Sequence, residues 1–229
     1  MAAKALFITA TDTDAGKTYI SSLLLQGLSG LNIAALGVKP IAAGADEQGR
    51  NSDALLLQQY SGIALPYRQI NPICYQAPVA PHLAAVNEQQ PIDETLLNNA
   101  LLHWQNQNIE HLLIEGAGGW LLPLSQQRYL ADWVAEQGLP VLLVVGVKLG
   151  CLNHAMLTVR EIERSGCKLI GWVANCIAPD MLLLEQNIAD LRQRISAPCL
   201  AVVPYAPAPA QYQQLARDLA KHVEQLTQN

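Results

Sequence analysis

The chain alternates between short, continuous apolar runs and longer segments in which apolar residues recur every three or four positions. Short runs bounded by polar residues and glycines are typical of strands buried in a parallel sheet, and the longer spacing is typical of helices. The runs predict strands at 6–9, 33–38, 112–114, 141–147, 169–174 and 200–203. The longer segments predict helices at 18–28, 52–60, 93–106, 130–136, 152–165, 181–194 and 210–226.

This alternation indicates one fold class. Strands that alternate with helices form a mostly parallel sheet flanked by helices, so we predict a doubly wound α/β fold. Asp93 is the expected N-cap of the helix at 93–106. The 229 residues are enough for one large core, and we expect a single domain over 1–229. Function in such sheets collects in the loops at the carboxyl ends of the strands.

The loop after the first strand has the features of a phosphate-binding loop. Gly16-Lys17-Thr18 fits the end of the pattern G-x-x-x-x-G-K-[ST], but Thr11 stands where the pattern begins with glycine. Backbone N–H groups and the helix N-terminus cradle phosphates in such a loop, the lysine reaches the terminal phosphates and the hydroxyl binds Mg²⁺. The segment indicates a nucleoside triphosphate site of the P-loop NTPase type. An ordinary helix after a solvated Gly-Lys-Thr turn is the alternative that it leaves open.

Charged residues follow other strands at the same edge of the predicted sheet. Lys39 ends the second strand and is expected to face the crevice that holds Lys17, although an isolated lysine at a strand end often only extends into solvent. Asp53 opens the next helix, where the helix dipole alone favours an acid. Glu115 ends a buried strand and precedes three glycines within four residues. With Thr18, the two carboxylates make an oxygen set that suits Mg²⁺.

Two further segments suit binding of polar groups. Residues 150–153 begin a helix after the strand at 141–147, and free N–H groups at a helix start suit a carboxylate. Asn175 follows the strand at 169–174, and its amide can pair bidentately with an adenine edge. Cys151 has no evident basic partner that would stabilise a thiolate, so a role as nucleophile is disfavoured.

The composition of the chain limits the classes of binding partner that we expect. The net charge is −5 and lysines and arginines are not clustered, so nucleic acid and anionic membranes are poor partners and a small-molecule substrate is favoured. The five cysteines form no C-x-x-C pair, as expected of reduced thiols in the cytoplasm. The chain begins without a visible secretory signal, and the apolar run at 140–147 is too short to span a bilayer. We therefore expect a cytoplasmic location.

Taken together, these segments resemble the dethiobiotin synthetases of biotin biosynthesis from about residue 7 to 205. The motifs that carry the resemblance are Thr11-Asp12-Thr13-x-x-Gly16-Lys17-Thr18, Val38-Lys39-Pro40, Arg50-Asn51-Ser52-Asp53-Ala54, Glu115-Gly116-Ala117-Gly118-Gly119-Trp120, Ala131-Asp132-Trp133-Val134, Leu143-Val144-Val145-Gly146-Val147-Lys148-Leu149-Gly150-Cys151 and Gly171-Trp172-Val173-Ala174-Asn175. So many motifs in this order make a chance similarity implausible.

The resemblance implies a Mg²⁺- and ATP-dependent ring closure. In the family, 7,8-diaminononanoate takes up CO2 as a carbamate, ATP phosphorylates the carbamate, and the neighbouring amine closes the ureido ring with release of ADP and phosphate. Lys17 and Lys39 would be catalytic, holding carbamate and phosphoryl oxygens, and Thr13 would bind at the reacting centre. Thr18, Asp53 and Glu115 would hold Mg²⁺.

The resemblance also assigns binding residues. ATP would contact Asp14, Ala15, Gly16, Lys17, Thr18, Tyr19, Asp53, Glu115, Gly116, Ala117, Gly118, Asn175, Cys176, Pro204, Tyr205 and Ala206. The diamine would contact Ala43, Gly150, Cys151, Leu152 and Asn153. Family members are usually homodimers with substrate near the interface, so we expect a homodimer.

This chain departs from the usual family pattern at a few positions. Ala10 replaces a glycine, Ala43 and Ala80 replace serines near the diamine, and Asn187 replaces a tyrosine near the partner's substrate site. Two alternatives stay open. A related P-loop amidoligase would be expected to carry a glutaminase domain, for which 229 residues leave no room. A partitioning-type ATPase switch usually carries a second lysine where this chain has Thr11.

Overall fold

A computed structural model, which describes residues 3–227, contains eight strands, nine α-helices and a short 3-10 helix (Thr13–Ala15) in that range. The strands are β1 (Lys4–Ala10), β2 (Ala35–Val38), β3 (Ile41–Ala43), β4 (Ile73–Tyr75), β5 (His111–Glu115), β6 (Val141–Val147), β7 (Leu169–Cys176) and β8 (Cys199–Val203). The helices are α1 (Lys17–Gly30), α2 (Ser52–Tyr60), α3 (Tyr67–Ile70), α4 (Pro81–Asn87), α5 (Glu94–Gln105), α6 (Leu130–Glu136), α7 (Cys151–Arg164), α8 (Leu184–Arg194) and α9 (Pro209–Thr227).

Six of the strands form one parallel sheet in the order β2-β5-β1-β6-β7-β8. The chain leaves the central strand β1 toward one edge and later returns to build the other, so the direction of winding reverses beside β1. Such a reversal opens a crevice at the carboxyl ends of the strands. The prediction of a doubly wound, mostly parallel α/β fold is confirmed.

The two faces of the sheet carry separate hydrophobic cores, because alternate residues of a strand point to opposite faces. In β1, Phe7 belongs to the core that packs under α5, α6, α7 and α8. Its neighbours Leu6 and Ile8 belong to the other core, which packs under α1 and α9. All three side chains are buried. Both faces of the sheet are therefore covered, which is why its strands are almost wholly apolar.

Helices α1 and α9 approach unusually closely. A Cβ atom added to Gly27 of α1 would lie 2.0 Å from the carbonyl oxygen of Ala216 in α9. Only glycine fits this approach without displacing a backbone, so the position fixes how α9 lies against the helix that begins at the phosphate-binding loop.

The segment from 41 to 87 contains more secondary structure than the sequence predicts. Strands β3 and β4 form a separate two-stranded parallel sheet, with Ile41 opposite Ile73, and α3 and α4 flank it. None of these four elements was predicted, because three-residue strands and short helices give too few positions for a period to be recognised. Together they cover one side of the crevice.

Element boundaries also differ at particular residues. The predicted helix at 181–194 was wrong at its start: Leu183 has φ of 53°, so α8 begins only at Leu184. The Asp93 cap is confirmed, because its side chain accepts a hydrogen bond from the backbone N–H of Thr95 at 2.8 Å. Among residues 3–227, no helix is both long and apolar enough to cross a membrane.

Candidate functional site

A pocket of about 830 Å³ opens where β1, β2 and β5 end. The loop after β1 forms one wall, Lys39 and Asp53 form a second, and the glycine-rich segment after β5 forms a third. Residues 78–81 and 121–123 enclose the remaining side with mostly apolar groups. The pocket is thus charged at the sheet and apolar at its outer rim.

The loop after β1 is held in shape by its own side chains and by the neighbouring strand. Asp12 accepts a hydrogen bond from the backbone N–H of Thr13 at 2.8 Å, and its other oxygen lies 2.9 Å from Nζ of Lys148. The hydrogen bond from Lys148, with that from the backbone, lowers the pKa of Asp12. Thr11, which replaces the usual first glycine, accepts a hydrogen bond from the N–H of Gly146 at 3.2 Å.

Gly16 links this loop to α1, and its position requires a glycine for two reasons. Its φ of 86° lies in the left-handed region. A Cβ atom there would also lie 2.2 Å from Nδ2 of Asn175. The chain can therefore turn into α1 at Lys17 with free N–H groups at the mouth of the pocket.

Glu115 lies at the centre of the site, at the end of β5, and is 0% exposed. Its Oε1 accepts hydrogen bonds from Thr18 Oγ1 at 2.8 Å and from Lys39 Nζ at 2.7 Å. Nζ of Lys39 also lies 3.0 Å from Oδ2 of Asp53. The three residues predicted to hold a metal are therefore gathered around one ammonium group.

The two lysines line the same pocket, as predicted, but their environments differ. Burial alone would lower the pKa of Lys39, but the negative charges of Glu115 and Asp53 outweigh burial and raise it. Burial and the nearby charge of Lys39 lower the pKa of Lys17 to about 8. Nζ of Lys17 lies 2.6 Å from the carbonyl oxygen of Gly118. Lys39 is thus a fixed cation, whereas Lys17 can lose its proton near neutral pH.

The donor set fits Mg²⁺. Oε2 of Glu115 is buried and has no hydrogen-bond partner among the described residues, which is costly unless a cation approaches. Asp53 and Thr18 add a second carboxylate and a hydroxyl. The described part of the chain has no group of three or more His, Cys, Asp or Glu side chains that could form a cage made of protein alone. Mg²⁺ commonly takes one or two carboxylates and completes its shell with phosphate oxygens and water.

Many of the predicted site residues meet in this pocket. Its walls include Thr13, Asp14, Gly16, Lys17, Thr18, Tyr19, Lys39, Ala43, Asp53, Ala117 and Gly118. Ala15, Glu115, Gly116 and Cys176 are buried at the ends of the elements beneath or beside it. The roles assigned to them stay predictions.

The other predicted residues lie along the neighbouring strand ends. Gly150, Cys151, Leu152 and Asn153 begin α7 after β6. Asn175 is buried in β7, and its Nδ2 donates a hydrogen bond to the carbonyl oxygen of Ala15 at 2.9 Å. Pro204, Tyr205 and Ala206 follow β8. In this conformation the amide of Asn175 supports the phosphate-binding loop, and the predicted contact of these groups with adenine or diamine stays a prediction.

The departures from the family pattern lie at distinct places. Ala10 is the buried last residue of β1. Ala43 and Ala80 both line the pocket and leave methyl groups there. Asn187 lies in α8, where Nδ2 donates to the carbonyl oxygen of Leu183 at 2.9 Å.

Sequence reasoning missed part of the pocket. It gave no role to the apolar residues Val79, Leu121 and Leu122, or to Asn51, whose side chain caps α2. The prolines at 78 and 81, on either side of Val79 and Ala80, are the one sequence signal that indicates an ordered turn there. Asn51 was recognised only as part of a motif.

Comparisons with known proteins agree with this geometry. A family model described as an AAA domain matches residues 4–211. The ATP-dependent dethiobiotin synthetase BioD of Cellvibrio japonicus is 49% identical over 207 residues, covering 89% of this chain and 90% of the relative. The protein of the same name from Vibrio cholerae is 45% identical over 216 residues, covering 93% of each chain.

Solved structures show a likeness of fold. The cell division ATPase MinD of Pyrococcus furiosus superposes with a TM-score of 0.60 at 17% identity, covering 97% of this chain and 99% of that one. At this identity the likeness concerns the fold alone. The sequence relatives are far more similar and match nearly the whole chain, and so the chain belongs to the AAA domain family and, within it, to the ATP-dependent dethiobiotin synthetases.

Proposed function

We propose that this protein is an ATP-dependent dethiobiotin synthetase, which forms dethiobiotin, ADP and phosphate from 7,8-diaminononanoate, CO2 and ATP. The observation that carries the proposal is the meeting of Lys17 and Lys39 in one pocket, with Glu115 buried against Lys39 at 2.7 Å, in a chain 49% identical to a protein of that name. The pocket offers cations for phosphate and carbamate oxygens and an apolar rim for an alkyl chain.

The phosphate end of the pocket suits ATP. Free N–H groups at the start of α1 point at the pocket mouth, and Lys17 adds a positive charge there. Thr18, Asp53 and Glu115 would hold Mg²⁺, which when bound neutralises charge on the phosphate oxygens. The family-derived contacts with adenine at 175–176 and 204–206 belong to this proposal.

Lys39 suits the reacting centre. Its raised pKa keeps it an ammonium ion, so it can attract both the carbamate and the phosphoryl oxygens as negative charge moves between them. Thr13 lies on the facing wall, where its hydroxyl can orient the carbamate. These groups bind and orient the reactants, which is the main requirement of phosphoryl transfer.

The apolar rim suits the chain of the diamine. Val79, Leu121 and Leu122 line it, and the methyl groups of Ala43 and Ala80 make the neighbouring wall less polar than serines would. An aliphatic chain buried there gains about 0.8 kcal/mol per CH2 group. The diamine carboxylate would lie at the start of α7, at 150–153, in a homodimer in which substrate lies near the interface.

Exposed leucines support the dimer. Leu149 is exposed just before α7, Leu157 is exposed in the middle of α7, and Leu182 is exposed just before α8. Exposed apolar groups that lie near one another are typical of protein interfaces. We propose that a second copy of the chain covers them and that the protein acts in the cytoplasm as a homodimer.

A partitioning-type ATPase remains the alternative of a different class. Its support is the MinD-like fold, and that likeness, at 17% identity, reaches no further than the fold. The net charge of −5 does not favour nucleic acid or an anionic membrane as a partner.

The deciding experiment is a coupled product assay. The protein is incubated with diaminononanoate, bicarbonate, Mg²⁺ and ATP, and dethiobiotin and phosphate are both quantified. We expect equal amounts of the two products and no phosphate release above background without the diamine. ATP hydrolysis at a rate that does not depend on the diamine, with no dethiobiotin formed, would reject the proposal.

A further inference from the structure

A network of hydrogen bonds lies behind the pocket. It joins Asn51 to residues 67–73, a segment for which the sequence predicts no function. At its centre is the hydroxyl of Tyr67, the first residue of α3. This hydroxyl accepts a hydrogen bond from the backbone N–H of Asn51 at 2.7 Å and donates one to Oδ1 of Asn71 at 2.8 Å. The phenol therefore joins two asparagines that are 20 residues apart in the chain.

The Asn71 side of the network holds the backbone of Lys39. Nδ2 of Asn71 donates to the carbonyl oxygens of Lys39 at 2.7 Å and of Ile73 at 3.0 Å. The N–H of Lys39 in turn donates to the carbonyl oxygen of Ile70 at 2.9 Å. Asn71 is 2% exposed, so water does not compete for these bonds. The peptide that carries Lys39 is thus fixed on both sides.

The Asn51 side holds the start of α2. Oδ1 of Asn51 accepts hydrogen bonds from the N–H groups of Asp53 at 3.1 Å and of Ala54 at 3.3 Å. Its Nδ2 donates to the carbonyl oxygen of Ala43 at 3.1 Å. An N-cap of this kind determines where the first turn of a helix lies. It therefore places Asp53, the second residue of α2.

The directions of these bonds are fixed. Nδ2 of Asn71 faces two carbonyl oxygens, so its Oδ1 must face Tyr67. The phenol must then donate to Asn71, and its oxygen is left to accept from the N–H of Asn51. Burial raises the pKa of Tyr67, so the hydroxyl keeps the proton that this arrangement needs. The hydroxyl also lies 3.8 Å from Sγ of Cys74, and in this arrangement it satisfies both asparagines.

We propose that Tyr67 is a positioning residue that sets the relative placement of Lys39 and Asp53, and through them the geometry of the site proposed for Mg²⁺. Its hydroxyl connects the peptide of Lys39 to the cap of the helix that carries Asp53, whose side chains lie 3.0 Å apart in the pocket. This inference rests on the function proposed above, because that function gives the two side chains their roles.

The test compares Tyr67→Phe with Tyr75→Phe as a matched control. Tyr75 lies on β4 with a buried ring, and its hydroxyl donates to the carbonyl oxygen of Gln90 at 2.9 Å, away from both asparagines. Each variant removes one hydrogen-bonded hydroxyl, from the partly buried Tyr67 or from the buried Tyr75. Loss of stability alone should therefore be similar in the two, and the positioning role should appear only in the first.

Two measurements distinguish them. In the free protein, Tyr67→Phe should raise hydrogen exchange at the amides of residues 51–54 by about tenfold or more, since the N–H of Asn51 loses its partner. The Mg²⁺ concentration that gives half-maximal turnover should rise about three- to tenfold, less than the roughly 10–100-fold typical of residues that hydrogen-bond metal ligands directly, because Tyr67 acts through the two asparagines. Tyr75→Phe should change neither. Equal behaviour of the two variants, or an unchanged exchange rate and Mg²⁺ dependence in Tyr67→Phe, would overturn the inference.

A binding measurement separates this inference from the proposed activity. If the unaltered protein forms no dethiobiotin, the proposed function fails, but Mg²⁺-dependent binding of a non-hydrolysable ATP analogue can still be measured by calorimetry. Tyr67→Phe should then need about three- to tenfold more Mg²⁺ for the same affinity. If binding of the analogue depends on Mg²⁺ in the same way in Tyr67→Phe and in the unaltered protein, that result alone would reject the positioning role.

Discussion

At the scale of single residues, the pocket gives two lysines opposite electrostatic properties. Lys39 and Lys17 are 4% and 5% exposed, so burial acts on both. Glu115 contacts Lys39 directly at 2.7 Å, whereas the ammonium group of Lys17 donates, among the described residues, to the carbonyl oxygen of Gly118. The pKa of Lys39 is therefore raised, and that of Lys17 falls to about 8. A difference of charge partners, and not of burial, separates the two groups.

The pKa of Lys17 predicts a pH dependence. Because the free protein loses this positive charge as pH rises through about 8, we expect kcat/KM for ATP to decrease above that pH. Bound phosphates favour the ammonium form, so the corresponding decrease in kcat should occur at higher pH. Steady-state profiles between pH 6.5 and 10 check this, with flat kcat/KM across pH 8 as the contrary result.

The environment of Lys39 predicts a stability effect. In Lys39→Met, the buried carboxylate of Glu115 keeps Thr18 as its one hydrogen-bond partner among the described residues, so the free energy of unfolding should fall by about 3–5 kcal/mol. Catalytic turnover should also be lost. Urea unfolding at pH 7.5 measures the change, and Lys221→Met on the exposed face of α9 serves as control, expected within about 0.5 kcal/mol of the unaltered protein. A Lys39→Met protein as stable as the control would contradict the buried ion pair.

At the scale of elements, the packing of α1 against α9 anchors the helix that begins at the phosphate-binding loop. Most residues of α1 on this face are leucines or isoleucine, and Gly27 is the exception that allows the backbone of α9 to approach. Gly30, in the same helix, has open space where a Cβ atom would lie. The two glycines therefore provide a direct comparison.

Gly27→Ala should destabilise the protein by about 1–3 kcal/mol, because the new methyl group must displace the backbone of α9. Gly30→Ala meets nothing and should be neutral or stabilise by up to about 1 kcal/mol, since alanine favours the helix. Thermal and urea unfolding of both variants measure the difference. Similar stabilities for the two would show that the close approach has no energetic effect.

The elements also show how far the sequence could predict this structure. The six strands of the main sheet and the residues that follow them could be predicted, because their apolar runs are long enough to recognise and their loops carry rare motifs. Strands β3 and β4 could not, since three residues define no period. The network around Tyr67 also left no signal, because most of its bonds join a side chain to a backbone group, and every residue type offers the same backbone groups.

At the scale of the whole molecule, the carboxyl ends and the amino ends of the strands have different roles. The pocket lies at the carboxyl ends of the strands. At the amino ends, buried His111 of β5 contacts Glu224 of α9, and Lys4 of β1 lies 2.6 Å from the same carboxylate. These contacts hold the end of α9 against the sheet. Ion pairs therefore stabilise the amino ends of the strands as well as the pocket end, where Lys39 pairs with Glu115 and Asp53.

The exposed leucines at the pocket end predict the assembly. If they lie in the proposed dimer interface, Leu182→Glu should shift the protein from dimer to monomer, because an interface cannot bury an unpaired carboxylate without a large penalty. Sedimentation velocity measures the mass, and Leu102→Glu, an equally simple change at another exposed leucine on α5, is the control. A monomeric unaltered protein, or a dimer that tolerates Leu182→Glu, would refute this interface.

The ammonium of Lys39, seated between Glu115 and Asp53, has a consequence for the order in which ligands bind. A lone divalent ion that enters the free site must compete with this ammonium group, which already neutralises part of the charge of the two acids, so it should bind only weakly. Triphosphate brings new negative charge that can draw the lysine away and share the ion. Calorimetry should therefore detect little heat from Mg²⁺ alone and tight binding of Mg²⁺ once nucleotide is present. The protein would then take up its metal ion as a complex with ATP.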